Sequence, residues 1–229
     1  MRYEILATGS DANCTVIERQ IAVDMGVPWY KVAPYAKDLA LVLLTHTHGD
    51  HFNKATVRRM AKNRPSLRWA CGPWMVGPLL SNGVDRRCID VLRMDEWQSY
   101  GRLGILVCAI ETRHDVPNCA WCIWRDERDS IFYATDTGTL DGIEAKGYGT
   151  YLVEANYRDA ELQQRIAEKM DAGGFAYETR AAETHLSWEQ ATEWLQENMA
   201  EWSLWVPMHE HKDKGGYQDG LVRSAPDAG

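Results

Sequence analysis

The stretch "LVLLTHTHGDHFN", residues 41–53, constrains this chain more than any other. An apolar run ends abruptly and is followed by His46, His48, Asp50 and His51, so three of the chain's seven histidines fall within six positions. Residues 39–45 read as a buried strand, which places the cluster at that strand's C-terminal end. A loop rising from a rigid strand can turn several side chains inward. Side chains alternate along extended chain, so His46 and His48 point the same way. Asp50 and His51 follow past Gly49 and can face a second ion. Imidazole suits zinc and similar transition ions, and carboxylate adds a hard, negative donor. An exposed histidine-rich loop would account for a lone histidine, but poorly for H-x-H-x-D-H directly after an apolar strand.

Around this cluster, short apolar runs predict strands at 2–7, 14–18, 20–24, 39–45, 67–71, 88–92, 103–110, 119–125, 130–135, 150–155 and 203–208. Helical patterns lie between several of them. "NKATVRRMAKN" opens on Asn53 as an N-cap. "RDAELQQRIAEKMDAGG" carries Leu162, Ile166 and Met170 at four-residue spacing and stops at Gly173–Gly174. "SWEQATEWLQENM" has Ser187 and Gln190 at capping-box spacing. A strand-rich first part followed by alternating strand and helix predicts a layered α/β fold. The 229 residues suit a single domain over 1–223, with the tail 224–229 disordered.

The formal net charge is −8, and no basic stripe of the kind that marks nucleic-acid binders is present. The densest basic stretch, "RRMAKNRPSLR", reads as the solvated face of a helix and its exit. No apolar run reaches the length of a membrane span, and "MRYEILATGSD" turns polar too soon for a signal peptide. The expected location is the cytoplasm. The six cysteines are scattered among apolar residues and read as buried free thiols. "CAWC", residues 119–122, lacks the second pair of a zinc knuckle and sits in a strand-like run. Ten tryptophans is a high number; such rings can stack on bases but more often fill cores and interfaces, so a homodimer is compatible with the sequence.

The H-x-H-x-D-H motif after a strand resembles the metallo-β-lactamase superfamily, and the resemblance extends along nearly the whole chain. "TGSDANCTVIERQIAVDMG" is similar to the family's opening hairpins and sets Asp24 at its early aspartate. "ETRHDVPNCAWCI" resembles the later histidine motif and marks His114. "IFYATDTG" resembles the aspartate motif and marks Asp136. "LWVPMHEH" resembles the final histidine motif, where His209 and His211 compete and His209 directly follows the apolar run. The resemblance implies a four-layer αββα sandwich. It also implies two divalent metal ions, zinc first, with manganese or iron as alternatives. His46, His48 and His114 would hold one ion, Asp50, His51 and His209 the other, and Asp136 would bridge them. Asp24 would stand behind the ligands or be structural.

Within the superfamily, a bridging Asp136 and a ligating Asp50 match phosphodiesterase-type members. "HDVPNCAWCI", "YLVEANY" and "THLSWEQA" resemble motifs of ribonuclease Z, where a glutamate and a histidine pair beside the metals; these map to Glu154 and His185. The implied activity is hydrolysis of a phosphodiester by a metal-bridging hydroxide, with His185 assisting the leaving group. His185 merely packing before the helix at Ser187 is the competing reading. The inserted arm that ribonuclease Z uses for transfer RNA is absent. That absence and the acidic balance favour a small or cyclic nucleotide. A nuclease on DNA or RNA, or a hydrolase of another ester, a thioester or a lactone, are the alternatives. Trp29 and Tyr30, after the "VDMG" turn, are candidates for touching substrate.

Overall fold

The computed structural model describes residues 1–171 and 178–210. Among the described residues two compact units can be distinguished, one over Met1–Ala109 and one over 110–210. The expected helix stop at Gly173–Gly174, His211 and the tail 224–229 lie outside the described residues.

The first unit begins with β1 (Tyr3–Ala7), β2 (Cys14–Ile17) and β3 (Ile21–Val23), an antiparallel meander. A short α1 (Trp29–Val32) leads to β4 (Leu41–Leu44), and α2 (Lys54–Asn63) leads to β5 (Arg68–Cys71). The helix α3 (Val76–Ser81) and β6 (Ile89–Val91) complete a six-stranded sheet in the order β1-β2-β3-β4-β5-β6, parallel from β3 onward. β4 is central in its parallel part, pairing Leu43 with Val23 on one side and with Ala70 on the other. Burial on both faces explains its unbroken apolar run. Asn53 caps α2 by accepting from the Thr56 N–H at 3.1 Å. Val57 and Met60 of α2 enter the core with Val42, Leu44, Trp69 and Leu79. Arg58, Arg59 and Lys62 are exposed, so the basic stretch is a solvated helix face. The hairpin of β7 (Trp97–Tyr100) and β8 (Ile105–Thr112) follows, and along β8 the chain passes into the second unit.

There β9 (Asn118–Trp124), β10 (Ser130–Ala134) and β11 (Thr150–Glu154) precede α4 (Asp159–Asp171), α5 (Glu178–Thr184), α6 (Trp188–Asn198) and β12 (Leu204–Met208). The second sheet runs β12-β11-β10-β9-β8-β7. β9 and β10 are antiparallel, whereas β10, β11 and β12 are parallel. Trp121, Phe132, Tyr151 and Leu195 are buried, and Phe132 stacks on Trp194 of α6 at 5.2 Å. The capping box of α6 is complete: Gln190 N–H donates to Ser187 Oγ and Ser187 N–H to Gln190 Oε1. Cys119 and Cys122 are buried free thiols on β9.

The result is a mixed α/β molecule with two sheets and helices, as the sequence predicts. Each of the eleven expected strands is present. β7 was not expected, because "WQSY" is largely exposed and lacks an apolar run. The helices α1, α3 and α5 were also missed. Each is under two turns, and neither α1 nor α3 has a side-chain cap to announce it.

Candidate functional site

In the first unit, β4 delivers its C-terminal residues into a buried polar network. Thr45 and His46 follow Leu44, and both are fully buried. The His46 ring lies 4.8 Å from that of His48 and 4.2 Å from that of His51, centroid to centroid. His51 Nε2 is 3.4 Å from Asp50 Oδ2. Asp24, fully buried at the end of β3, organises this group. His51 Nδ1 lies 2.7 Å from Asp24 Oδ2, and Thr45 donates to the same carboxylate from its backbone N–H at 2.9 Å and from its hydroxyl. Thr45 Oγ1, with its proton committed to Asp24, is left as an acceptor 3.0 Å from His46 Nδ1. The network therefore assigns protons to both Nδ1 atoms. It leaves both Nε2 atoms as lone-pair donors, the state a metal ion requires.

The loop is fixed from outside as well. Asn13 N–H donates to the Asp50 carbonyl, and its amide lies 3.2 Å from Asp50 Oδ2 and 2.7 Å from His51 Nε2. Gly26 passes so close that a Cβ there would sit 1.6 Å from the Asp50 carbonyl oxygen, so only glycine fits.

In the second unit, Glu154 at the end of β11 is fully buried. It accepts from the Thr137 N–H at 3.0 Å and lies 2.5 Å from His185 Nδ1. The two segments that carry this pair are stitched together. Asn156 N–H donates to the Leu186 carbonyl and Trp188 N–H to the Tyr157 carbonyl, both at 2.8 Å. His209 stacks on His185 at 5.1 Å, with Nε2 3.4 Å from Asp136 Oδ1 and Nδ1 3.5 Å from Glu154 Oε1. Glu154, His185 and His209 each offer a ligand atom within 4.8 Å of the others. His114, at the end of β8, has Nδ1 3.1 Å from the Thr184 carbonyl, which fixes its proton there and frees Nε2. Burial pulls the pKa of His185 down, but the charge of Glu154, its hydrogen bond and Asp136 outweigh burial, and the net shift is upward. For His114 burial prevails over Asp136 and Asp115, and the shift is downward.

Three of the chain's non-glycine residues with positive φ belong to these clusters: Asp24 (60°), Asp136 (55°) and His209 (52°). That conformation is costly for such residues and collects at functional sites. Here it is held in place. Asn118 donates to the carbonyls of Thr135 and Asp136, and Asn156 donates to that of His209 at 2.7 Å. Asp24 N–H pairs with the Leu43 carbonyl.

Thus His46, His48, Asp50 and His51 are brought together in the first unit, with Asp24 behind them. His114, Asp136, Glu154, His185 and His209 lie on strand ends and loops of the second. Trp29 lies beneath Arg59, whose guanidinium is 4.8 Å from the ring centroid, and Tyr30 is exposed. Sequence reasoning missed Asn13, Thr45, Asn118 and Asn156. Their only signal was a polar residue beside an apolar run, which many turns share.

The family model for the β-lactamase superfamily domain matches residues 23–209. The chain belongs to this family, and the match runs through both units. It is thereby a metal-dependent hydrolase of the metallo-β-lactamase fold. Among solved structures, human tRNase Z, short form, is similar with a TM-score of 0.65 at 13% identity, over 93% of this chain and 93% of that one. Yeast PDE1 gives a TM-score of 0.61 at 12% identity, over 96% and 90%. YhfI from Bacillus subtilis, a metallo-β-lactamase fold protein, gives 0.60 at 15%, over 98% and 99%. At these identities the likeness is one of fold. No curated protein sequence matches the chain significantly.

Proposed function

We propose that this protein is a dinuclear hydrolase of phosphodiester bonds, with a small or cyclic nucleotide as substrate. In this reading His46, His48 and His114 hold one divalent ion, Asp50, His51 and His209 the other, and Asp136 is shared. The donor chemistry supports it. Imidazoles whose Nδ1 protons are committed to Asp24, Thr45 or a backbone carbonyl present Nε2 to a cation, and carboxylates add charge. Bound ions would acidify water near neutral pH and offset charge on the attacked group.

The observation that carries the reading is the pair of Glu154 and His185. A phosphodiester expels an alkoxide, which needs a proton. Glu154 fixes the proton on Nδ1 and favours a second one on Nε2, which His185 can then give to the departing oxygen. The stacked His209 ring keeps His185 in plane. Likeness in fold to tRNase Z and yeast PDE1 supports phosphodiester chemistry, and the net charge of −8 favours a small substrate over a polyanion. Six free thiols suit a reducing compartment such as the cytoplasm. Among the described residues no helix is long and apolar enough to cross a membrane.

The test is a comparison of cyclic and linear nucleotides with single-stranded DNA and RNA, using metal-loaded protein and His185→Ala. Nucleotide cleavage is expected to exceed polymer cleavage. His185→Ala is expected to lose about 10²–10⁴-fold on alkoxide-leaving diesters but little on bis-p-nitrophenyl phosphate, whose leaving group needs no proton. Preference for polymers would convert the reading to a nuclease. Full activity of His185→Ala on nucleotides, with turnover of a thioester or lactone, would overturn it.

A further inference from the structure

The last strand of a sheet presents unpaired backbone N–H and C=O groups, and folded chains blunt such edges with proline, charge, bulges or shortness. Three of the four terminal strands here are blunted. β12 carries Pro207. β1 carries Glu4 and a register shift against β2. β6 is three residues long with Asp90 at its centre. β7 has no proline, charge or bulge. Its residues Trp97, Gln98, Ser99 and Tyr100 are uncharged and pair with β8 in unbroken register. Among the described residues no strand pairs with its outer side.

The strand is held from within. The Tyr100 hydroxyl donates to Asp90 Oδ2 at 3.1 Å, and Arg68 Nε donates to the same oxygen at 3.0 Å. A strand already fixed in place pairs at little cost in ordering. On the face opposite Tyr100, Trp97 of β7 and Leu106 of β8 are 50% and 40% exposed. The flanking charges select the occupant. Asp95 and Glu96 precede the strand, Arg102 follows it, and all three are exposed. Arg93 reaches Glu96 at 3.4 Å, but both side chains are more than 60% exposed, so that pair is weak. A parallel copy of β7 would set acid beside acid. An antiparallel copy brings Asp95 and Glu96 of each chain toward Arg102 of the other. The two-fold axis that relates such strands is perpendicular to the sheet and keeps like faces together. Trp97 and Leu106 of both copies then form one apolar strip.

We propose that β7 is a self-association edge, where two copies of this chain pair antiparallel into one continuous sheet, with Asp95 and Glu96 of each against Arg102 of the other. The surface is self-complementary, as a two-fold dimer requires.

Sedimentation velocity on the full-length protein at ~10⁻⁵ M, above a micromolar dissociation constant, is expected to show a dimer. Glu96→Arg and Arg102→Glu each set like charges together twice about the axis. Each is expected to weaken association by about ten-fold. Mixing the two variants is expected to restore the dimer, because each supplies the charge that the other lacks. Trp97→Lys is expected to be monomeric with an unchanged circular dichroism spectrum. If it does not fold, the two exposed charge variants carry the test. A monomeric unaltered protein at that concentration would overturn the proposal and leave β7 to an extended segment of another protein. A dimer that survives both charge variants would place the interface elsewhere, and a mixture that stays monomeric would rule out the antiparallel pairing.

Discussion

Asp24 meets His51 directly and His46 through Thr45, and so decides the tautomers of two imidazoles. Asp24→Asn replaces a charged acceptor by an amide that can present a donor to His51 Nδ1. The expected result is a metal affinity lower by about 10–100-fold, with the metal-binding side chains unchanged. Isothermal titration with Zn²⁺ checks it, and unaltered affinity would show that Asp24 only braces the loop. At this scale the sequence was legible where residue types cluster: His46, His48, Asp50 and His51 declare themselves by spacing alone. Asp24, His114, Asp136 and His209 were reached through resemblance, because each stands alone in its own segment. The left-handed backbone of Asp24, Asp136 and His209 had no signal at all, since partners distant in sequence hold it: the Leu43 carbonyl, Asn118 and Asn156.

At the scale of elements, the strand ends that carry the clusters were predicted because buried parallel strands are continuous apolar runs. The short α1 and α3 were not, because neither has a side-chain cap to announce it. α6 was legible from its capping box, and the same box stabilises the segment bearing His185. Ser187→Ala removes the Oγ acceptor two residues after His185. It is expected to cost about 1 kcal/mol of stability and to lower turnover on nucleotides more than on bis-p-nitrophenyl phosphate, because it loosens the segment holding His185, the proposed proton donor. Denaturant melts and paired kinetics measure both. Equal loss on both substrates would mean that the cap serves stability alone. Gly138 sets a second constraint on the same segment. A Cβ there would come 2.2 Å from the Glu183 carbonyl oxygen, so Gly138→Ala must displace the chain two residues before His185. Its expected effect is in the same direction and larger.

For the molecule as a whole, five of the six cysteines are buried. Burial pushes the Cys71 thiol up to about 12 and Cys108 to about 11, with neighbouring Asp90 and Asp95 adding to the effect. Cys14, fully buried near Asp24, is raised further. The sign is simple: a raised thiol pKa leaves little thiolate at pH 8, and thiolate is the reactive form. Native protein is expected to react rapidly with a thiol reagent at Cys88 alone, and at the other five only on unfolding. Rapid native labelling of Cys71 or Cys119, read by peptide mass mapping, would contradict the packing described for both sheets.

The central claim is that two ions, held in part by Asp50, perform phosphodiester hydrolysis. Its most direct test is metal content measured together with bis-p-nitrophenyl phosphate turnover, for the unaltered protein and for Asp50→Ala. Two divalent ions per chain are expected. Chelation should remove them along with activity, and metal should restore both. Asp50→Ala should keep its circular dichroism spectrum, lose one ion and fall to background turnover. Undiminished turnover in that variant, or full activity with no bound metal, would contradict the account.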